Sequence, residues 1–518
     1  MDMDQLSCGS LCLMAIATIL LSLILRQAMG GTKETGPKLP PGPWNLPFIG
    51  SLHHLIGMKL PPHRAFLRLS RRHGPLMLLR LGEVPNVIVS TPEAAMEVLK
   101  TNDLAFATRP SGPTLDVVSC GGKGLIFAPY GEHWRQMRKV CVMELLSARQ
   151  VQRIEFIKQG EVAHLVESVA AASPSGSPII DVGKGLTKLS NNIIARAVFG
   201  GKCRQQEEYL RELDTVSMLV GGFSPVDLFP SSRLVRWLSS AARDVRRSHA
   251  RVQRILGDII QERKEKKPSN GSAGGRDDED LLDVLLRLHK EDTLGFPLTS
   301  EIIGAVVFDI FGAATDTTAA TLEWAMAELI RSPHAMARAK LEVRQKKLGH
   351  GRGSTVTSAD LGDLHYLRMV VKETLRLHPS AALIHRASQE SCRVMGYDIP
   401  KGTAVTINAF AVGRDPVHWG EDAAEFRPER FEEELSTVEY RQGPQMEFIP
   451  FGAGRRQCPG ALFATTTIEL VLANLLYHFD WTVPGGETLD MGEVFGIIVH
   501  TRSSLRLQAV VGRHLQDR

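Results

Sequence analysis

A chain of 518 residues, 43% hydrophobic and 23% charged, is long enough for one large folded unit with a deep core. A net charge of +4 without a dominant Lys/Arg block is too small to argue for nucleic acid, which is not an expected partner. Seven cysteines, at 8, 12, 120, 141, 203, 392 and 458, form no framework, and an odd number in a long chain points to reduced thiols facing the cytosol.

Leu6 to Leu25 carries no charge over 20 residues, close to the ~20 needed to cross a ~30 Å hydrocarbon core as a helix. A cleaved signal peptide would start with basic residues, whereas Asp2 and Asp4 precede the run and Arg26, Lys33 and Lys38 follow it. That asymmetry predicts a single-pass anchor, with the rest of the chain in the cytosol. The expected organisation is an anchor at 1–29, a proline-rich spacer at 30–50 that includes Pro37-Lys38-Leu39-Pro40-Pro41-Gly42-Pro43, and one catalytic domain at 51–518.

Helical patterns dominate the body, so the expected class is mainly α with small β-sheets (α+β). Residues 77–81 and 86–90 read as a hairpin; 394–399 and 404–407 read as another pair of short strands. Lys264 to Glu279, rich in charge, Gly and Ser, reads as an exposed loop, and its Asn270-Gly271-Ser272 triplet should stay unmodified in the cytosol. The longest predicted helix is capped by Thr299 or Ser300 and ended by Pro333, which at ~1.5 Å per residue gives ~50 Å. Between Glu301 and Glu323 its only charges are Asp309 and Asp316, so it should run through the centre of the protein. Asp316, Thr317 and Thr318 then need a reason, because burying polar groups unpaired costs about 1–3 kcal/mol each.

The most specific motif is Phe451-Gly452-Ala453-Gly454-Arg455-Arg456-Gln457-Cys458-Pro459-Gly460. Its glycines let backbone approach a flat object closely. Cys458 stands just before an apolar helix predicted from Ala461 to Leu476 and beside Arg456, a setting that favours a thiolate. Residues 451, 454, 456, 458 and 460 match the Phe-x-x-Gly-x-Arg-x-Cys-x-Gly loop of the cytochrome P450 family, and the resemblance, extending over about residues 37–510, is closest to plant microsomal members.

The resemblance implies a cytochrome P450 fold with a long central helix over a haem b, whose iron takes Cys458 as its axial ligand. It implies Phe451, Gly452 and Gly460 as the haem-binding loop and Trp134, Arg138, Arg386 and Arg456 as propionate partners. Glu373 and Arg376, with Arg430 from Phe426–Phe431, resemble the family's structural ion network. Asp316 and Thr317 in Ala313–Thr318 resemble its proton relay, although Ala314 stands where glycine is usual.

Nothing in the sequence forms a flavin or nicotinamide fingerprint: Gly121-Gly122-Lys123-Gly124 lacks the setting of a phosphate loop. The expected partner is therefore an NADPH-dependent cytochrome P450 reductase, with Arg135, Lys139 and Arg455 as a possible basic dock. The expected location is the endoplasmic reticulum membrane. Walls at 112–127, 302–314, 380–384 and 495–499 are mostly small or aliphatic and suit an apolar small molecule, with Asp309 as the one charge able to hold an amine. The resemblance implies a monooxygenase that inserts one oxygen atom from dioxygen into such a molecule, a plant specialised metabolite such as a (di)terpenoid; a haem-thiolate hydroperoxide isomerase or lyase and a non-catalytic haem sensor are the alternative classes.

Overall fold

The computed structural model describes residues 37–512 apart from 173–178, 202–204, 222, 266–278, 293, 295, 350–354, 433–444 and 487. The expected anchor at 6–25 and the Asn270 triplet lie outside the described residues.

The long helix runs from Ser300 to Arg331, 32 residues, with the Thr299 hydroxyl accepting from Ile302 N at 3.4 Å as its N-cap. Pro333 cannot continue it and opens the next helix, Pro333–Gly349. Ile303, Val306, Leu322 and Leu329 are fully buried, each contributing about 1.5–3 kcal/mol. This central helix packs against Val182–Phe199, Ala241–Glu265, His365–Leu377 and Ala461–His478. The central helix and Ala461–His478 are long and apolar enough to cross a membrane, yet both are mostly buried inside the fold, so their apolarity is that of a core.

The main sheet has four strands. Leu76–Leu81 and Val84–Val89 form the expected hairpin, paired from Leu76↔Val89 to Leu81↔Val84. The second strand pair is arranged differently from the sequence reading. Residues 394–399 are not one strand: Cys392–Val394 turns at Met395 and Gly396, both at positive φ, and pairs with Tyr397–Ile399. Ala404–Asn408 instead joins the main sheet, parallel to Val84–Val89. Its other neighbour is Leu383–Ala387, antiparallel, a strand not anticipated because His385 and Arg386 interrupt its apolar run. Long-range pairing outweighs local pattern here.

The proline segment lies on this sheet. Pro41 O accepts from Leu78 N at 2.8 Å, and Lys38 exchanges hydrogen bonds with Asp398 at 2.7 and 2.8 Å. From Lys38 onward the segment is therefore part of the body's surface.

Candidate functional site

The Cys458 loop is built by a short turn, Gly454–Arg456, ahead of the helix Ala461–His478. Cys458 N donates to Phe451 O at 2.9 Å, closing the loop on itself. Gly454 has φ +68° and its α-carbon faces Leu99 O and Asp103, so a side chain there would meet backbone. Arg455 is tied to Asp103, with Nε 3.3 Å from Oδ2, and Arg135 pairs with Glu132 on its own helix. Two of the three cations expected to form a basic dock are thus each paired with a carboxylate of this chain.

Above the loop lies a cavity enclosing about 1400 Å³ of non-atom space, its mouth included. It is lined by Phe451, Gly452, Cys458 and Gly460 of the loop and by Ala313, Ala314, Thr317 and Thr318 of the central helix. Arg109, Arg138, Arg386, Arg456 and Trp134 lie around its rim, so all eight residues expected to bind the haem line one space, with Thr317 facing them.

The rim is unusual electrostatically. Arg456 donates to Ala107 O at 2.7 Å, Leu125 O at 3.2 Å and Ala128 O at 2.5 Å, and stacks over the Trp134 ring at 4.2 Å. Trp134 Nε1 also donates to Leu125 O, at 3.0 Å. Arg138 donates to Gln457 O, and Arg386 to His385 O at 3.1 Å. Burial and the neighbouring guanidiniums push Arg456 down to about 8 and Arg386 well below the ordinary arginine range. Arg109 falls to about 10, mainly through burial, with Asp309 opposing the fall. A concentration of buried positive charge on carbonyl partners calls for an anion.

Arg109 escaped the sequence reading. Its neighbours Thr108 and Pro110 carry no motif, and only the fold brings it to the rim, donating to Ile126 O at 2.9 Å and to His385 O.

A second cavity of about 1600 Å³, its opening included, adjoins the first, and both are lined by Arg109, Asp309, Ala313, Thr317, Ile384 and Arg386. All four segments expected as walls contribute to it: Leu115, Val118 and Phe127; Phe308; Ile384; Ile497 and Ile498. Leu213, Val216 and Val220 were missed, although their spacing marks an apolar helix face. The helix Gln206–Leu219 comes close to the central helix because Gly312 leaves room: a Cβ there would lie 3.2 Å from Leu213 Cδ1.

The polar residues of the central helix have distinct surroundings. Thr317 Oγ1 donates to Ala313 O at 2.7 Å. Asp316 Oδ2 lies 3.4 Å from His500 Nε2. Thr318 Oγ1 is buried without a hydrogen-bond partner among the described residues. Asp309 Oδ2 accepts from Leu125 N and Ile126 N at 2.5 and 3.0 Å. Burial raises the Asp309 carboxyl to about 6 against the pull of those N–H groups and Arg109. Its charge is therefore engaged in holding the 125–126 loop. His385 shares a 3.2 Å contact with Thr406 Oγ1 and is kept neutral, pushed down to about 4 by burial and by Arg109 and Arg386.

Behind the Cys458 loop, Arg376 Nε and Nη2 donate to the two oxygens of Glu373 at 2.6 and 2.7 Å, with neither side chain exposed. Arg430 Nε adds a third bond to Glu373 at 3.3 Å, and Arg427 N a fourth at 2.8 Å. The spare guanidinium donors reach Gly413 O, Ala423 O, Glu425 O and Trp419 O. The expected trio is thus a buried, fully bonded network, far from the tenths of a kcal/mol of an exposed pair. Among the described residues no group of three His, Cys, Asp or Glu could hold a bare metal ion, so iron at Cys458 would have to arrive in a ligand of its own.

Comparison with known proteins agrees with this architecture. Zealexin A1 synthase and Dolabradiene monooxygenase, both from Zea mays, are each 44% identical to this chain, covering 96% of it and 97% of themselves. Germacrene A hydroxylase from Barnadesia spinosa is 42% identical, covering 93% of this chain and 94% of itself. The family model described as Cytochrome P450 matches residues 40–506. The Cys458 loop, the buried Glu373–Arg376–Arg430 network and this similarity along nearly the whole chain agree: the protein belongs to the cytochrome P450 family of haem-thiolate oxidoreductases.

Proposed function

We propose that the protein is a monooxygenase that inserts one oxygen atom from dioxygen into an apolar small molecule, with electrons from NADPH delivered by a separate cytochrome P450 reductase. The observation that carries this reading is that Thr317, Ala313 and Ile384 line both cavities. An apolar molecule in the larger cavity would therefore lie beside the space in front of Cys458.

The residues of the first cavity fit a haem. Cys458 would ligate the iron, and Phe451, Gly452 and Gly460 would lie along one face of the macrocycle. Trp134, Arg138, Arg386 and Arg456 would meet its carboxylates, whose negative charge the crowded guanidiniums lack. Haem held by a thiolate supplies dioxygen activation, since the thiolate's electron density favours O–O cleavage. Thr317 would present a hydroxyl at the wall between the cavities, and Asp316 would resupply its proton through water. Ala314 lines the cavity before Cys458, and its methyl takes up one carbon's space there relative to glycine. Ile384, Ile497 and Phe308 would keep bulk water away from the reacting carbon.

The substrate class we favour is a terpenoid hydrocarbon, a diterpene in particular, within plant specialised metabolism. The cavity walls supply few free polar partners, and each unpaired substrate hydroxyl or carboxylate would cost about 1–3 kcal/mol. The names Dolabradiene monooxygenase and Germacrene A hydroxylase support an oxygenation of this kind. The uncharged run at 6–25 supports anchoring in the endoplasmic reticulum membrane, beside the reductase. A hydroperoxide isomerase or lyase would need neither reductase nor relay, and a sensor would not turn over. Substrate-dependent NADPH consumption with purified reductase, yielding an oxygenated product, supports the monooxygenase; conversion of a fatty-acid hydroperoxide without reductase contradicts it.

A further inference from the structure

We infer that His500 is a positioning residue for proton delivery, carrying protons from solvent to Asp316 on the way to Thr317. The inference rests on the Asp316–Thr317 relay proposed above.

His500 stands on Val499–Thr501, paired with Glu493–Phe495 in a hairpin that lies against the central helix. Its Nε2 is 3.4 Å from Asp316 Oδ2. The imidazole is 37% exposed and the Asp316 side chain 18%, so the pair spans from surface to cavity wall. Asp316 and Thr317 both line the larger cavity, and Thr317 also lines the space before Cys458. Since the Thr317 hydroxyl donates to Ala313 O, a neighbour must replace any proton it gives up. From the same hairpin, Ile497 and Ile498 line the cavity.

Three carboxylates face this imidazole: Asp316 and Glu323 from the central helix, and Asp214 from Gln206–Leu219. Burial opposes protonation, but Asp316 and the two other charges outweigh it and hold His500 above its usual 6.5. Glu323 is committed elsewhere, accepting from Leu505 N at 2.8 Å. Asp214 is itself raised by burial and by the charge on Asp316. Asp316 is thus the carboxylate in contact. In the step proposed, the His500 Nε2–H bond breaks and Asp316 Oδ2 takes the proton; the neutral imidazole, still protonated at Nδ1, regains one at Nε2 from solvent hydronium, which is left as water, and no electron or other group moves. A separation of 3.4 Å exceeds the ~2.7–3.2 Å of a working N–H···O bond, so a small closure or one bridging water completes the path.

Below the raised pKa His500 is a charged donor, and above it the donor is lost. Product formed per NADPH should therefore fall as pH rises through that pKa. The experiment uses full-length holoenzyme with reductase and an olefinic terpene hydrocarbon chosen by spectral binding. A parallel carbon-13 histidine titration of the diamagnetic ferrous carbon monoxide form reads His500 without turnover. The expected result is a His500 resonance titrating above 6.5 that moves down in Asp316→Asn. His500→Gln should lose the pH step in product per NADPH while keeping its haem, and His500→Lys should move the step to alkaline pH. An unchanged pH step in both His500 variants overturns the inference, and so does a His500 titration indifferent to Asp316→Asn. If Thr317→Ala and Asp316→Asn lower product per NADPH while the His500 variants do not, only the inference fails. If Thr317→Ala and Asp316→Asn also leave it unchanged, the relay itself fails.

Discussion

Thr317 Oγ1 donates to Ala313 O at 2.7 Å, one turn back along the central helix, and this bond holds the hydroxyl in the wall shared by the two cavities. A threonine that bonds its own helix in this way slightly loosens it. The same arrangement leaves the hydroxyl oxygen free to accept a proton from a neighbour while it donates another.

Removing that hydroxyl should leave the site standing. Thr317→Ala is expected to bind haem and substrate as the parent does, while NADPH is diverted to hydrogen peroxide. Product and peroxide measured against NADPH consumed give the answer, and an unchanged ratio would exclude Thr317 from the relay.

The buried network behind the loop should be far less tolerant. Glu373→Ala leaves Arg376 and Arg430 buried without their carboxylate, and breaking a buried pair from one side costs about 3–5 kcal/mol. Thermal unfolding together with haem content measures the loss. A variant as stable and as haem-loaded as the parent would contradict a supporting role.

Arg386 makes the opposite case. It is buried among cations, with no carboxylate bonded to it among the described residues. Arg386→Leu should stabilise the haem-free protein by relieving repulsion and desolvation, yet loosen haem by about 1.5–3 kcal/mol through a lost charge-assisted bond. Unfolding of the haem-free form and haem transfer to a scavenger protein separate the two effects. Loss of stability in both forms would mean that Arg386 serves packing alone.

How far could the sequence be read alone? The loop at 451–460, the Glu373–Arg376 pair and the ends of the central helix were legible because each is local: a motif, a spacing, a cap and a proline. Arg109, the Leu383–Ala387 strand and the Leu213 face were not, since each acquires its role from another segment of the chain: His385 for Arg109, Ala404–Asn408 for the strand, and Gly312 of the central helix for Leu213. The backbone partners of Asp309 were not legible for the same reason. An acid in an apolar helix looks available, but two backbone N–H groups from 125 and 126 already claim it.

Ligand choice follows from that last point. With the Asp309 charge engaged, olefinic terpenes should give spectral binding responses and alkaloid amines none. The reverse preference, abolished by Asp309→Asn, would overturn the substrate class and restore Asp309 as an amine partner.

Truncation tests the topology. Deleting residues 1–29 should release much of the protein from membranes and keep its haem, because among the described residues the body's first contacts begin at Lys38. A natural mature form beginning near residue 30 would instead identify a cleaved signal peptide.

The central claim is that Cys458 holds the iron, and the reduced carbon monoxide spectrum tests it most directly. The parent and Cys392→Ser should both show the strongly red-shifted Soret band of a thiolate-ligated haem, and Cys458→Ser should lose that band with all activity. A thiolate-type band persisting in Cys458→Ser would contradict the assignment.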